Sequence, residues 1–119
     1  MGTCVLVIDD DPVFRGLAKR MLRNVGLAIC GEASTAEAGM SSAMALQPDA
    51  ALVDVGLPDG DGVELAHRIA ALPWRPRVVL TSCDRDATDR GPRAKRNGLA
   101  FVPKDELPDA PLERLLATG

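Results

Sequence analysis

Short apolar runs alternate with segments of helical periodicity along the chain, and this alternation restricts the fold more than any other feature of the sequence. The first run, CVLVI at residues 4–8, is continuously apolar, which is typical of a strand buried on both faces of a sheet. Repeated strand–helix units build a parallel sheet with helices packed against it. The sequence therefore predicts an α/β fold around a parallel sheet of five strands.

Residues that begin or end helices mark the boundaries of the predicted elements. Asp11 is expected to cap the first helix, Pro12 suits its first turn because that position needs no N–H, and Gly26 ends it. A polar stretch before the last strand contains Gly91 and Pro92, which shorten or kink any helix there. The second strand is the most polar, so we expect it at a sheet edge. The predicted strands are 4–8, 27–33, 50–53, 77–80 and one within 98–103, and the predicted helices are 12–25, 35–46, 63–72 and 112–117. The polar stretch 84–97 is not assigned to an element.

The composition is that of a globular protein and argues against several classes of function. The 119 residues suit one domain, and 46% apolar with 26% charged residues can form a buried core. A net charge of −3 and 3% aromatic residues differ from the basic faces and stacking aromatics of nucleic-acid-binding proteins. No apolar run reaches membrane-spanning length and no leader-like segment precedes the first strand, so we expect a cytoplasmic protein without membrane contact.

Several side chains that could bear function have simpler structural interpretations. Cys4 and Cys30 lie in apolar strand-like runs and are interpreted as small buried hydrophobic residues. Met40 and Met44 stand at helical spacing and are assigned to the core. His67 lies opposite the apolar face of its helix, so we expect it to be exposed and assign it no phosphotransfer role.

Polar residues that follow four different predicted strands form the main functional signal. Asp9 and Asp10 follow the first strand, Asp54 the third, Thr81 the fourth and Lys104 the fifth. The carboxyl ends of parallel strands converge on one edge of a sheet, where ligands bind. The fold is therefore expected to bring together three carboxylates, a hydroxyl group and an ammonium group.

The chemistry of such a pocket favours a divalent cation and a phosphoryl group. Three neighbouring carboxylates repel one another, so they must take up protons or bind a cation. All-oxygen ligation by few protein groups suits Mg²⁺, which is often shared with a phosphate. Lys104 and Thr81 can contact the phosphoryl oxygens that the metal leaves free. A carboxylate can itself accept a phosphoryl group, so Asp54 is a candidate for an aspartyl phosphate.

Four motifs in order carry a resemblance to a known family. They are VLVIDDDPVFR at 5–15, LVDVGLPDGDG at 52–62, VVLTS at 78–82 and FVPKDEL at 101–107. With these motifs the chain resembles the receiver domains of bacterial two-component response regulators over nearly its whole length. The resemblance implies a doubly wound, flavodoxin-like sheet of order 2-1-3-4-5 with helices on both faces. It also implies one receiver domain over 1–119, with no output domain in this chain.

The resemblance assigns the metal ligands and the phosphoacceptor by position. Asp9 and Asp10 would be the acidic pair, with Asp10 the more direct ligand of Mg²⁺. Asp54 would be the phosphoacceptor, with its other carboxylate oxygen on the metal. The backbone carbonyl of Gly56 would be a further ligand.

The resemblance also assigns a switch. Thr81 would be the hydroxyl that moves toward the phosphoryl group, Phe101 the aromatic residue that then turns inward, and Lys104 the lysine that contacts the phosphoryl group. Asp105 follows this lysine where many members of the family carry proline.

The resemblance implies a phosphorylation-dependent switch rather than an enzyme with a separate substrate. The expected partners are a sensor histidine kinase or a phosphotransfer protein as donor and an output protein or domain of unknown identity, and a weak homodimer stays open. Two alternatives also remain open. One is a phosphate-independent interaction module, and the other is a Mg²⁺-dependent phosphohydrolase, which would need a general acid and a substrate cap.

Overall fold

A computed structural model describes residues 3–82 and 99–117 of the chain. The polar stretch 84–97, together with its Gly91-Pro92 interruption, lies outside the described residues. Seven strands are described: β1 Cys4–Ile8, β2 Ala28–Ala33, β3 Ala50–Asp54, β4 Gly56–Leu57, β5 Gly60–Asp61, β6 Arg77–Thr81 and β7 Ala100–Phe101. The described helices are α1 Pro12–Asn24, α2 Ala36–Leu46, α3 Gly62–Ala70, a 3₁₀ helix Lys104–Asp109 and α4 Leu112–Leu116.

The main sheet is parallel and has five strands in the order β2-β1-β3-β6-β7. The strands β4 and β5 form a separate antiparallel ribbon directly after β3. Without this ribbon the order is 2-1-3-4-5, so the predicted topology is confirmed, and the polar second strand lies at an edge as expected. No helix among the described residues is long and apolar enough to cross a membrane.

The sheet separates two hydrophobic cores because alternate side chains of a strand point to opposite faces. Leu6 and Ile8 of β1 belong to one core, which α2 and α3 cover with residues such as Ile69. Val5 and Val7 of the same strand belong to the other core, which α1 and the C-terminal segments cover. Helices therefore pack against both faces of the sheet, as predicted.

Side chains at the helix starts accept hydrogen bonds from backbone N–H groups that the helix leaves free. Asp11 accepts from Val13 N at 3.0 Å at the start of α1, as predicted. Thr35 accepts from Ala38 N at 3.0 Å at the start of α2. These caps help to set where each helix leaves the edge of the sheet.

Two assignments made for α2 and α3 are wrong. Met44 is 61% exposed, because α2 packs on the sheet through the small residues Gly39 and Ala43 and position 44 lies beside that stripe. His67 is half-buried with its Nε2 shielded from solvent, because it lies next to Val63 at the border of a wide buried face of α3.

Cys4 and Cys30 are half-buried rather than buried. They lie where β1 meets the edge strand β2, which packs on only one neighbouring strand and leaves its side chains partly uncovered. Burial and the neighbouring Cys4 thiol raise the pKa of Cys30 to about 12, so this thiol stays protonated at neutral pH.

Candidate functional site

Three aspartates lie together at the carboxyl end of the central strands. Asp54 is the last residue of β3, and Asp9 and Asp10 directly follow β1, which pairs with β3. One carboxylate oxygen from each residue lies within 4.8 Å of the other two. Asp9 and Asp54 are buried, and Asp10 is exposed. The arrangement gives a cluster of oxygen donors that is open to solvent on one side.

The contacts of Asp9 hold its carboxylate at the centre of this cluster. Its Oδ1 accepts a hydrogen bond from Asp11 N at 2.9 Å, and its Oδ2 lies 2.7 Å from the ammonium nitrogen of Lys104. Apart from that ion pair, Oδ2 makes no hydrogen bond within the described residues. The backbone carbonyl of Asp9 accepts a hydrogen bond of 2.6 Å from Arg15 Nη1. Arg15 is itself paired through Nε with Glu32 at 2.8 Å.

Asp54 has contacts that act on its charge in opposite directions. Its Oδ1 accepts a hydrogen bond from Gly56 N at 3.2 Å, and its Oδ2 lies 3.8 Å from Lys104 Nζ. Burial raises the pKa of Asp54 above its usual range, and the charges of Asp9 and Asp10 add to this, while Gly56 N–H and Lys104 oppose it. The ionised form of Asp54 is therefore disfavoured on balance, even with Lys104 nearby, and an added metal cation would stabilise it.

Lys104 connects the carboxylates to an aromatic ring. Its backbone N–H donates to Ser82 O at 3.0 Å, which fixes the start of the 3₁₀ helix beside β6. Its side chain is 14% exposed and reaches both Asp9 and Asp54. Its Nζ also lies 4.2 Å from the centroid of the Phe14 ring. The ammonium group therefore lies between two carboxylates and the face of an aromatic residue.

Thr81 lies opposite Asp54 in the register of β6 and β3. Its side chain is fully buried, and within the described residues its Oγ1 has no hydrogen-bond partner. A buried hydroxyl group without a partner is unfavourable, so a ligand oxygen that reached it would be bound favourably. Phe101, on the neighbouring strand β7, is half-buried and packs against the core formed with α2 and α3.

The segment after Asp54 is attached to β6 at its start and folds back on itself before α3. Val55 N donates to Thr81 O at 2.9 Å, and Gly62 N donates to Val55 O at 3.1 Å. Between these bonds lies the β4–β5 ribbon, whose Asp59 carboxylate accepts from Ala36 N at 2.7 Å and from Glu37 N at 3.1 Å. These two bonds lower the pKa of Asp59. The ribbon is thereby attached to the start of α2.

The structure brings together all of the polar side chains that the sequence assigned to the site. Asp9, Asp10 and Asp54 form one cluster, Lys104 reaches Asp9 and Asp54, and Thr81 is the register partner of Asp54. The backbone N–H of Gly56 contacts Asp54, and the ligand role expected of its carbonyl stays a prediction.

Three residues that support the pocket were not predicted from the sequence. They are Phe14 beneath Lys104, Arg15 on the Asp9 carbonyl and Asp59 at the start of α2. Only Asp59 carried a signal, because a short acidic residue in a Pro/Gly loop is a frequent capping group.

The pocket and its sheet can be compared with known proteins. The family model of the response regulator receiver domain matches residues 5–115. The chain belongs to this family. Receiver domains act in phosphorylation-dependent signalling by two-component systems and bind Mg²⁺ at an acidic pocket, and the cluster of Asp9, Asp10 and Asp54 agrees with this.

Individual relatives support the assignment to the receiver domains. The nitrate/nitrite response regulator protein NarL of Escherichia coli is 30% identical over 112 residues, which cover 93% of this chain and 52% of that protein. The transcriptional regulatory protein PdtaR of Mycobacterium tuberculosis is 36% identical over 87 residues, or 72% of this chain and 42% of the relative. The chain thus spans about half the length of these curated relatives.

A solved structure has the same fold over nearly its whole length. The signal receiver domain of the response regulator NarL from Mycobacterium tuberculosis is 31% identical in sequence, with a TM-score of 0.79. The match covers 96% of each chain. This receiver domain is therefore similar in topology and in extent to the chain described here.

Proposed function

We propose that this receiver domain is a phosphorylation-dependent switch in which Asp54 accepts a phosphoryl group in a Mg²⁺-dependent reaction. The observation that carries the proposal is the cluster of carboxylates formed by Asp54 with Asp9 and Asp10, with Lys104 Nζ 3.8 Å from Asp54 Oδ2. Thr81 pairs with Asp54 in the sheet, and its buried hydroxyl group has no hydrogen-bond partner within the described residues. A pocket with this donor set can stabilise both a divalent cation and the oxygens of a transferred phosphoryl group.

The residues present fit Mg²⁺. Carboxylate oxygens of Asp9, Asp10 and Asp54 offer the hard, anionic donors that this ion prefers, and the backbone carbonyl of Gly56 would add a neutral one. The raised pKa of Asp54 also supports a cation, because a positive charge would remove the repulsion from Asp9 and Asp10. When bound, the metal would offset the negative charge of the phosphoryl oxygens.

Asp54 would act as the nucleophile. A carboxylate oxygen of Asp54 forms the new O–P bond while the N–P bond of a donor phosphohistidine breaks, and the released imidazole nitrogen keeps the bonding electron pair. Lys104 would bind a phosphoryl oxygen through its ammonium group, and Thr81 would donate its hydroxyl proton to another. The donor would be a sensor histidine kinase or a phosphotransfer protein.

The change in Thr81 would carry the signal out of the pocket. Within the described residues the Thr81 hydroxyl group makes no hydrogen bond, so a phosphoryl oxygen would give it a partner. That new bond would favour a second arrangement of the surrounding loops. Phe101 is half-buried at the end of β7, where it pairs with Leu80, the residue before Thr81, and it would respond by turning inward. The signal would pass to an output protein or domain.

The domain would act only on its own Asp54 and have no separate substrate. A phosphohydrolase would turn over a small phosphoester, whereas a phosphate-independent module would neither bind Mg²⁺ nor take up a phosphoryl group. These three functions therefore differ in measurements that can be made on the purified chain.

The test is the intact mass of the protein after incubation with Mg²⁺ and acetyl phosphate, with Asp54→Ala as the matched variant. A single phosphoryl adduct that requires Mg²⁺ and is absent from Asp54→Ala would support the switch. No adduct on the wild type, together with no binding of beryllofluoride, would contradict it and favour the phosphate-independent module. Repeated release of phosphate from a small phosphoester would favour the phosphohydrolase instead.

A further inference from the structure

The ring of Phe14 lies beneath the ammonium group of Lys104. Phe14 is in the first turn of α1, is 8% exposed and packs in the core that α1 shares with the C-terminal segments. Lys104 Nζ lies 4.2 Å from its ring centroid, well within the range of about 6 Å over which an aromatic face attracts a cation. The core fixes the ring, so the ring offers the ammonium group a fixed point of attachment.

The ammonium group also contacts two carboxylates of the proposed metal site. Lys104 Nζ lies 2.7 Å from Asp9 Oδ2 and 3.8 Å from Asp54 Oδ2. A divalent cation bound by these carboxylates would weaken their attraction for the ammonium group. The attraction of the Phe14 ring does not depend on those carboxylates, so it would persist.

A lysine side chain that lost its partners would move into solvent. Its four-carbon stem has many rotamers, and holding it in one of them costs about 1.5–2 kcal/mol of conformational entropy. Lys104 is only 14% exposed, so its ammonium group is held at the pocket rather than extended into water. A contact on the ring face reduces the number of positions that the group can take.

We propose that Phe14 is a positioning residue for phosphoryl transfer: its ring keeps the Lys104 ammonium group at the pocket when Mg²⁺ occupies the carboxylates. The ammonium group is then in place for the incoming phosphoryl oxygens. This inference rests on the proposed function of the pocket, and it assigns to Phe14 a role beyond packing in the core.

Two substitutions of Phe14 distinguish the effect of the aromatic face from the effect of apolar packing. Phe14→Leu keeps an apolar side chain but removes the aromatic face, whereas Phe14→Tyr keeps the face. Each is made in the wild type and in Lys104→Ala, where there is no ammonium group to position. Urea unfolding of every variant identifies those that are folded, and comparison within each background removes any general effect on stability.

The first measurement is beryllofluoride binding at saturating Mg²⁺, followed by ¹⁹F NMR, beside Mg²⁺ binding alone, followed by calorimetry. We expect Phe14→Leu to weaken beryllofluoride binding roughly fivefold, the size of a partly desolvated cation–π contact. We expect its Mg²⁺ affinity to change less than about twofold and Phe14→Tyr to bind as the wild type does. In Lys104→Ala, Phe14→Leu should have no further effect.

The second measurement observes the contact itself. Methylene protons next to the Lys104 ammonium group lie over the ring, so their NMR signals should be shifted upfield in the wild type and should return to ordinary values in Phe14→Leu. The upfield shift should persist when Mg²⁺ is added. Loss of the shift on adding Mg²⁺ would overturn the inference, because the ring would then not hold the group when it is needed.

The outcomes distinguish this inference from the proposed function. A wild type that binds no beryllofluoride would contradict the proposed function itself. A wild type that binds it, with Phe14→Leu of equal affinity, would overturn only the role of Phe14. Equal weakening by Phe14→Leu in the presence and absence of the Lys104 side chain would do the same, because the ring would then act through packing alone.

Discussion

Gly62 lies so close to the backbone of Asp54 that no side chain fits between them. A Cβ at position 62 would overlap the Asp54 carbonyl oxygen and come within 2.6 Å of Val55 Cα. The same residue donates its N–H to Val55 O at 3.1 Å. The start of α3 is therefore packed directly against the end of β3, and this contact fixes the loop that carries Gly56.

Gly62→Ala should disturb the pocket more than a small change in volume suggests. The obstacle is backbone rather than a flexible side chain, so the loop must move, and we expect a loss of about 1–3 kcal/mol of unfolding free energy. Mg²⁺ affinity should fall with it, because Asp54 and Gly56 are displaced together. Urea unfolding and Mg²⁺ calorimetry measure the two effects.

Gly16→Ala is the matched control for this substitution. Gly16 lies within α1, and a Cβ there would meet no atom within 4 Å. Alanine is the better helix former, so this variant should gain about 0.5–1 kcal/mol and keep its Mg²⁺ affinity. Equal stability changes in the two variants would show that the contact between Gly62 and Asp54 is not tight.

Asp54→Asn should stabilise the metal-free protein at neutral pH. Burial raises the pKa of Asp54 in the folded state, so the folded protein binds more protons than the unfolded protein between the unfolded and folded pKa values. The stability of the folded protein therefore falls as pH rises from about 4 through the raised pKa. At higher pH the whole loss of stability that comes from ionising Asp54 remains. The variant lacks this cost and should melt a few degrees higher at pH 7.

Thermal unfolding from pH 3 to pH 8, in the presence of EDTA, measures this difference. Asp109→Asn removes an exposed carboxylate and provides the control, with little expected change. The advantage of Asp54→Asn should grow with pH across the window and then stay constant. A difference that does not depend on pH would mean that the charge of Asp54 is not the cause.

Asp59→Ala should loosen the ribbon beside the pocket. The variant loses both hydrogen bonds to the start of α2, so we expect Tm to fall by about 4 °C and the amide protons of the ribbon to exchange faster. The pKa of Asp59 is lowered in the folded state, so its contribution is present above the unfolded value and is lost as pH falls through the folded value.

Glu64→Ala is the control for Asp59, because Glu64 is an exposed carboxylate on the neighbouring helix α3. The Tm difference between Asp59→Ala and the wild type should shrink as pH falls below about 4, whereas Glu64→Ala should stay close to the wild type throughout. A Tm difference for Asp59→Ala that stays constant down to pH 3 would contradict the role of the charged cap.

The sequence predicts the parts of the site that depend on strand ends, and it misses the parts that depend on packing between distant segments. Asp54 and Thr81 lie at the same edge of the sheet, as expected, because each ends a buried strand and parallel topology brings such ends together. The contact between Phe14 and Lys104 joins residues on α1 and after β7, and no local pattern links their side chains.

The helix α2 shows the same limit in the core. Periodicity assigned Met44 to the buried face because it is apolar, but Gly39 and Ala43 allow closer approach to the sheet and occupy that face. A Cβ on Gly39 would come within 2.8 Å of the Ile8 side chain, so the close packing of α2 on β1 depends on glycine at this position. Small residues can therefore define the buried face of a helix, which a pattern of hydrophobicity alone does not reveal.

Thr81→Val tests two effects of the Thr81 hydroxyl group: the stability lost by burying it without a partner, and the ligand binding gained from its hydrogen bond. Valine has nearly the same shape and no polar atom, and the Thr81 hydroxyl group is buried without a described partner. The metal-free variant should therefore gain about 1 kcal/mol of unfolding free energy. Mg²⁺ and beryllofluoride should stabilise the variant less than they stabilise the wild type, because the variant cannot donate a hydrogen bond to the ligand.

Thr81→Ser keeps the hydroxyl group and should retain most of the stabilisation that the ligand gives the wild type. Urea unfolding with and without the ligand measures both changes, and a Thr81→Val protein that is less stable without ligand would mean that the hydroxyl group already has a partner in the resting state.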